Sequence, residues 1–483
     1  MALTSSALLM FIAIFSLAGS ASGSGILLNV TNTVFGSHLG VLPVGFGDFN
    51  GDKLTDMVIV EDGERNKVSV LIANKQNTFS LTEGKYFKVA ESVSNPKELK
   101  KLSCVYNQFT IVSAAPADFD GDGGMDLLIV ARDDDERLVS FVAWGEHHRG
   151  ENGPHALVCP EEAIGQNWHH VIHVEAEPLV IEGNGDAIAD VFGLSENNTR
   201  GIWIFGRDRT RKPEFFTLGE GSGKAFRRPH SNAFVDLNND GNSDILVTTE
   251  SGFELWENRG TLGAPHFKLH QSHIDAPPCE GPAGSRGPCL GQSVFGDFDL
   301  DGRLDMVFPV CQDGCKTGSL YWSPLAQLWR ADKSPFLVIP LELTENYEYD
   351  PTAPDSDFYP GMSPRMGDIN LDGYPDLLLR VKNRRTGRRQ THLLLNIEAA
   401  DSPANQRGFA IQPQVMSDLN DTVMAAFYDL YEDGTNDVIT VQTVGEEGGG
   451  HRVGAFTNAT QDSDAYFAKI IVLSGESERV LLP

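Results

Sequence analysis

Positive charge is scarce in this sequence. Lys and Arg number 38 against 67 Asp and Glu, for a formal net charge of −29 over 483 residues. That deficit argues against nucleic acid and anionic membrane surfaces as partners. Long apolar runs are missing too. After Ala18 no segment is long or apolar enough to cross a membrane, which takes about 20 apolar residues. No G-x-S-x-G elbow and no H-E-x-x-H helix occurs, so the common serine-hydrolase and zinc-protease signatures are absent. Cysteines are only six. Cys311 and Cys315 in "CQDGC" lack a second ligand pair at zinc spacing, and the even count suits an oxidising compartment.

The first residues carry no Lys or Arg, yet Ala7 to Ala18 form a short apolar core followed by small residues from Gly19 to Gly23. This pattern predicts a signal peptide over residues 1–23, hence entry into the secretory pathway. Sequons at Asn29, Asn197, Asn420 and Asn458 then become candidate N-glycan sites. Proximity suggests disulfides 279–289 and 311–315, leaving Cys104 with Cys159.

Negative charge, by contrast, is abundant and ordered. The stretch "FGDFDLDGRLDMVF" (295–308) packs four aspartates into nine positions before an apolar run, and six related stretches accompany it. Oxygen-bearing side chains recur at positions 1, 3, 5 and 9 of each nine-residue loop. Loop one holds Asp48, Asn50, Asp52 and Asp56; loop two holds Asp118, Asp120, Asp122 and Asp126. Loop three holds Glu182, Asn184, Asp186 and Asp190; loop four holds Asp236, Asn238, Asp240 and Asp244. Loop five holds Asp297, Asp299, Asp301 and Asp305; loop six holds Asp368, Asn370, Asp372 and Asp376. Loop seven holds Asp429, Asp433 and Asp437, with Tyr431 at position 3.

Clustered carboxylates repel unless a cation lies among them. Six to eight oxygens from carboxylates, amides and carbonyls are what Ca²⁺ takes, so these 27 residues are the candidate calcium ligands. The third and seventh loops, with Glu182 and Tyr431, are the weaker sites. An EF-hand is excluded, because position 12 is Ile59, Ile129 or Phe308 rather than a bidentate Glu. Gly at position 6 in five loops suits a sharp turn. The last aspartate opens a branched, apolar run such as "DMVIV" or "DILVT", which predicts a buried strand.

The units recur every 54 to 71 residues along nearly the whole chain. Seven all-β units predict a seven-bladed β-propeller over residues 25–475, with a tail at 476–483. Strands ending at Asn74, Asn258, Asn396 and Asn458 are expected to be the outer strand of each unit. Residues 26–30 and 466–474 are the candidates for closing the ring.

The loops resemble the FG-GAP repeats of integrin α propellers: "FGD" occurs at Phe46–Asp48 and Phe295–Asp297, and "MGD" at Met366–Asp368. "FGDFNGDKLTD", "ADFDGDGGMDLLIV", "ELWENRG" and "FGDFDLDGRLDM" are more similar still to the T-cell immunomodulatory protein (Linkin) family. That resemblance implies a glycosylated, secreted or type I cell-surface protein that engages another extracellular protein in adhesion or immune-cell modulation. The family continues into a further extracellular region and a membrane span, whereas this chain ends at "LSGESERVLLP". The alternative is an extracellular propeller enzyme with a central-face site. Its histidines (His147, His148, His169, His170, His173) fit surface and packing roles better, since adjacent strand residues face opposite sides. The basic run 382–390 suits either a patch for an acidic partner or, preferably, a charged hairpin tip.

Overall fold

The computed structural model describes most of the chain between Leu27 and Asn458. Outside the described residues lie 1–26, 74–86, 89–102, 147–155, 159–171, 281–288, 351–361, 400–406, 413–418, 445–449 and 459–483, with a few shorter gaps. The expected signal peptide, the 466–474 closure candidate and the tail therefore fall outside them.

Among the described residues, seven antiparallel sheets of four or five strands follow one another, one per repeat, and a two-stranded ribbon of Gly145–Glu146 with Ala156–Leu157 follows the third strand of blade 2. In each of the seven, an inner strand runs into the acidic loop and the position-9 aspartate begins the second strand. Blade 5 is representative: Val294–Gly296, Asp305–Gln312, Thr317–Pro324 and Leu337–Pro340 pair in sequence order. The register is the same in every blade. Gly47, Ala117, Ile181, Val235, Gly296, Gly367 and Tyr428, each preceding position 1, lie opposite Asp56, Asp126, Asp190, Asp244, Asp305, Asp376 and Asp437.

The second strands read as unbroken apolar runs because both their faces are covered. Met57, Val58 and Val60 are fully buried, as are Val307 and Phe308. Each blade packs on the next, so the core is divided into seven seams. One apolar cluster joins blades 1 and 2, and others fill each successive seam through blades 6 and 7. The last unites Met57 and Leu71 of blade 1 with Ile439 and Val453 of blade 7, which makes the array a closed ring.

Closure uses the N-terminal segment. Leu27–Asn29 pairs with His451–Asn458 and supplies the outer strand of blade 7. The expectation for residues 26–30 is thereby met. The strands ending near Asn258, Asn396 and Asn458 are third strands rather than outer ones. Their regular pattern comes from lying between two neighbours, whereas the outer strands vary in length, from two residues at Ile172–His173 to nine at Phe267–Asp275, with one edge open.

Glycine before position 1 answers crowding near the axis. A Cβ added at Gly296 would overlap the Met366 sulfur of the next blade, and one at Gly367 would overlap the ring of Phe427.

Candidate metal centres

Each loop is a backbone nest built around the position-1 carboxylate. In loop five, Asp297 accepts the Asp301 N–H on Oδ1 at 3.0 Å and the Gly302 N–H on Oδ2 at 2.8 Å. Asp301 in turn accepts the Arg303 N–H at 2.9 Å. Loops one, two, four, six and seven repeat the bond from position 6 to position 1. Turning that many amides inward demands left-handed backbone twice. Position 6 has φ between 63° and 89° in all seven loops, at Lys53, Gly123, Ala187, Gly241, Gly302, Gly373 and Gly434. Position 4 is also left-handed throughout, although it holds Leu300, Leu371 and Glu432 in three loops (φ 58°, 59° and 52°).

Loop three departs, as its longer first side chain requires. One Glu182 oxygen takes the N–H groups of Asn184, Gly185 and Asp186 together, and no bond runs to position 6. In loop seven position 3 is Tyr431, whose side chain has no carboxylate or amide oxygen and packs partly into the seam between blades 7 and 1.

The position-9 aspartates do more than the sequence predicts. All seven are at most 2% exposed. One oxygen of Asp376 accepts the N–H of Ile369 within its own loop at 3.0 Å, and the other accepts the N–H of Asn396 on the third strand at 2.8 Å. The same two bonds hold Asp56, Asp126, Asp190, Asp244 and Asp437. Blade 5 substitutes an indole: its third strand ends at Pro324, which has no N–H, and Asp305 takes a hydrogen bond from Trp322 instead. Burial lifts these carboxyls to about 7 at Asp56, Asp190, Asp305, Asp376 and Asp437 and to about 6 at Asp244, while the backbone donors oppose the rise. Asp126 is pushed well above the usual range for the same reason.

Position 2 had no role in the sequence reading. Its N–H is the loop donor to position 9, and its side chain plugs the seam to the following blade: Phe49, Phe119, Leu237, Phe298, Ile369 and Leu430 are all buried. The third-strand asparagines complete the lattice. Asn396 donates its side-chain amide to the Phe298 carbonyl of the preceding loop at 2.9 Å, and Asn458 does the same to Ile369. Asn74 lies outside the described residues.

The donor sets suit a hard cation. In loops two and five, oxygens of positions 1, 3 and 9 (Asp118, Asp120, Asp126; Asp297, Asp299, Asp305) all lie within 4.8 Å of one another. Oxygens about 2.3–2.6 Å from one central ion span such distances. An oxygen holding one N–H keeps a second lone pair for a metal. In loops one, three, four and six the position-3 asparagine donates its amide to the position-5 carboxylate at 2.9–3.0 Å, which eases the charge there. Loop five has no such relief: no basic side chain pairs with Asp297, Asp299 or Asp301 among the described residues. Burial raises the Asp299 carboxyl, and the neighbouring Asp301 and Asp297 add to the rise. In loop two a basic residue with no motif to mark it, Arg209, pairs with Asp120 and Asp122.

The remaining candidates resolve locally. Cys279–Cys289 and Cys311–Cys315 are disulfides, and Cys104 is disulfide-bonded to a partner outside the described residues. His173 is exposed on an outer strand, and His147, His148, His169 and His170 lie outside the described residues. The basic run is a hairpin with Lys382 opposite Arg389, and two of its arginines pair with carboxylates: Arg388 meets Asp421, and Arg389 meets the buried Asp350. No helix among the described residues is long and apolar enough to cross a membrane.

Comparison with known proteins agrees with the repeats. The FG-GAP-like repeat family matches residues 48–129 and 236–308. The T-cell immunomodulatory protein of Mus musculus is 30% identical over 470 residues, covering 93% of this chain and 68% of that protein. The human protein of that name is 29% identical over 487 residues, covering 93% and 68%. Protein linkin of Caenorhabditis elegans is 26% identical over 463 residues, covering 89% and 67%. With a seven-bladed ring of FG-GAP-like repeats and kinship running along nearly its whole length, the chain belongs to the T-cell immunomodulatory protein family.

Proposed function

We propose that this protein is a secreted or cell-surface, calcium-stabilised propeller that binds another extracellular protein and acts in immune-cell modulation or adhesion. The observation that carries the calcium reading is the convergence of three carboxylates in loop five with no basic partner among the described residues. Position 1 would hold the ion with positions 3, 5 and 9, and loops one, two, four, five and six have complete sets. A bound Ca²⁺ supplies charge neutralisation. The chain's own backbone nest and seam plugs orient the donors before any ion arrives.

We read the protein as a binding module and not an enzyme. The repeated aspartates are accounted for by loop and strand architecture, and the relatives are named as immunomodulatory and linkin proteins. The disulfides accord with an extracellular setting. The test is binding of the fluorescently labelled, glycosylated chain to lymphocytes and epithelial cells, in calcium and in chelator. Saturable binding that chelation abolishes is expected. Absence of saturable binding to either cell type would count against the reading.

A further inference from the structure

Among the described residues, loop two is where a basic side chain pairs with two of the ligand-position carboxylates. Arg209 lies beyond the third strand of blade 3, Arg200–Ile204, and reaches back across the seam to blade 2. Its Nε pairs with the Asp120 carboxylate at position 3. Its Nη2 lies 3.1 Å from Asp122 at position 5 and donates to the Gly145 carbonyl at 2.9 Å. The guanidinium also lies 5.3 Å from the ring centre of Trp144. Asp120 is 5% exposed and the Arg209 side chain 24%, so this is an enclosed contact and not a surface pair.

Every group that accepts from Arg209 lies at the loop mouth. Asp120 and Asp122 are two of the four oxygen side chains a metal would need. Gly145, whose carbonyl Arg209 takes, gives its own N–H to Asp126, the fourth. Loop five has the same four carboxylates and the same convergence of three of them, yet no arginine pairs with it among the described residues. The contrast lies in the neighbouring blade and not in the loop. A guanidinium bound to two ligand carboxylates satisfies their charge with directed hydrogen bonds, and a divalent ion entering the same loop would face it at close range.

We propose that Arg209 is the resident cation of the second loop, so that this loop joins blades 2 and 3 without calcium. The inference rests on the calcium reading of the other loops. It divides seven similar sequences into loops that take a metal and one that has built its own substitute. The second loop then holds one seam of the ring closed whatever the external calcium concentration.

The test is a calcium count by native mass spectrometry on the full secreted chain at saturating calcium, with melts in chelator alongside. Arg209→Gln is expected to bind one more ion than the native chain and to melt lower in chelator. In the native background, Asp120→Asn with Asp122→Asn is expected to leave the count unchanged, whereas Asp299→Asn loses one. The double variant keeps the test alive should Arg209→Gln fail to fold. An unchanged, non-zero count in Arg209→Gln, or an ion lost from the double variant, overturns the inference while leaving the calcium reading intact. A count of zero in every form overturns both.

Discussion

A single residue sets the shape of each acidic loop through its φ angle. Gly302 sits at φ 82° with open space where a Cβ would go. Gly302→Ala therefore tests conformation without a clash, and the left-handed penalty sets the cost at about 1 kcal/mol. Leu300, two residues earlier at φ 58°, is the converse case. Leu300→Gly is expected to be neutral or stabilising despite the loss of a side chain. Paired melts of the two variants read the contrast, and a substantial loss in Leu300→Gly would contradict it. The glycine at position 6 was legible in five of the sequences. The strain at position 4 was not, because leucine there carries no turn signal and only the nest of amides around Asp297 reveals the need.

A second residue-scale effect concerns pH. His392 is fully buried beside the Tyr347 ring, 4.7 Å between centres, with no hydrogen-bond partner on either nitrogen. Burial lowers its pKa from 6.5 to about 4. Above pH 6.5 the ring is neutral in both folded and unfolded chains, so its full contribution is present. As pH falls through that window the unfolded chain takes the proton and the folded chain does not. Stability is lost progressively, by on the order of 3 kcal/mol once pH is below 4. Denaturant melts of native chain and His392→Leu at pH 7, 5.5 and 4 should show a shallower acid loss in the variant. Parallel curves would refute it.

At the scale of the element, the position-9 aspartate is the pin that ties loop, second strand and third strand together. Removing its carboxylate orphans two buried N–H groups. Asp376→Ala should cost about 3 kcal/mol, and the cost should persist in chelator because the Ile369 and Asn396 bonds need no metal. Asp372→Asn, at position 5, should matter far more with calcium than without. Equal losses for both variants in chelator would show that position 9 acts only as a ligand. The sequence made the strand start at Asp376 plain, through the acidic residue followed by "LLLR". It misplaced the asparagine strands at the blade edge, since periodicity reports burial and not a strand's rank within a sheet. The amide of Asn458 is spent on Ile369 and its N–H on Asp437. Asn197, in contrast, is exposed between the second and third strands of blade 3. Glycopeptide mapping is expected to find sugar at Asn197 and none at Asn458.

For the whole molecule, the ring form was legible because seven spaced repeats each reached a strand with no free face. The N-terminal side of the closure was legible: Leu27–Asn29 covers the edge of His451–Asn458, while the other candidate, 466–474, lies outside the described residues. Arg209 was not legible at all, because a basic residue between strands has no pattern until the fold carries it to Asp120. A chain starting at Thr31 exposes the third strand of blade 7 as an edge. It is expected to melt lower and to self-associate in size-exclusion chromatography. The central claim is that calcium holds this acidic ring together, and calcium titration of the secreted chain by calorimetry, with thermal melts in calcium and in chelator, tests it most directly. Four or more ions, as loops one, four, five and six require, with a large rise in melting temperature is the expected result. No heat of binding and no change in melting temperature would mean that the loops are hydrogen-bonded turns alone and would contradict it.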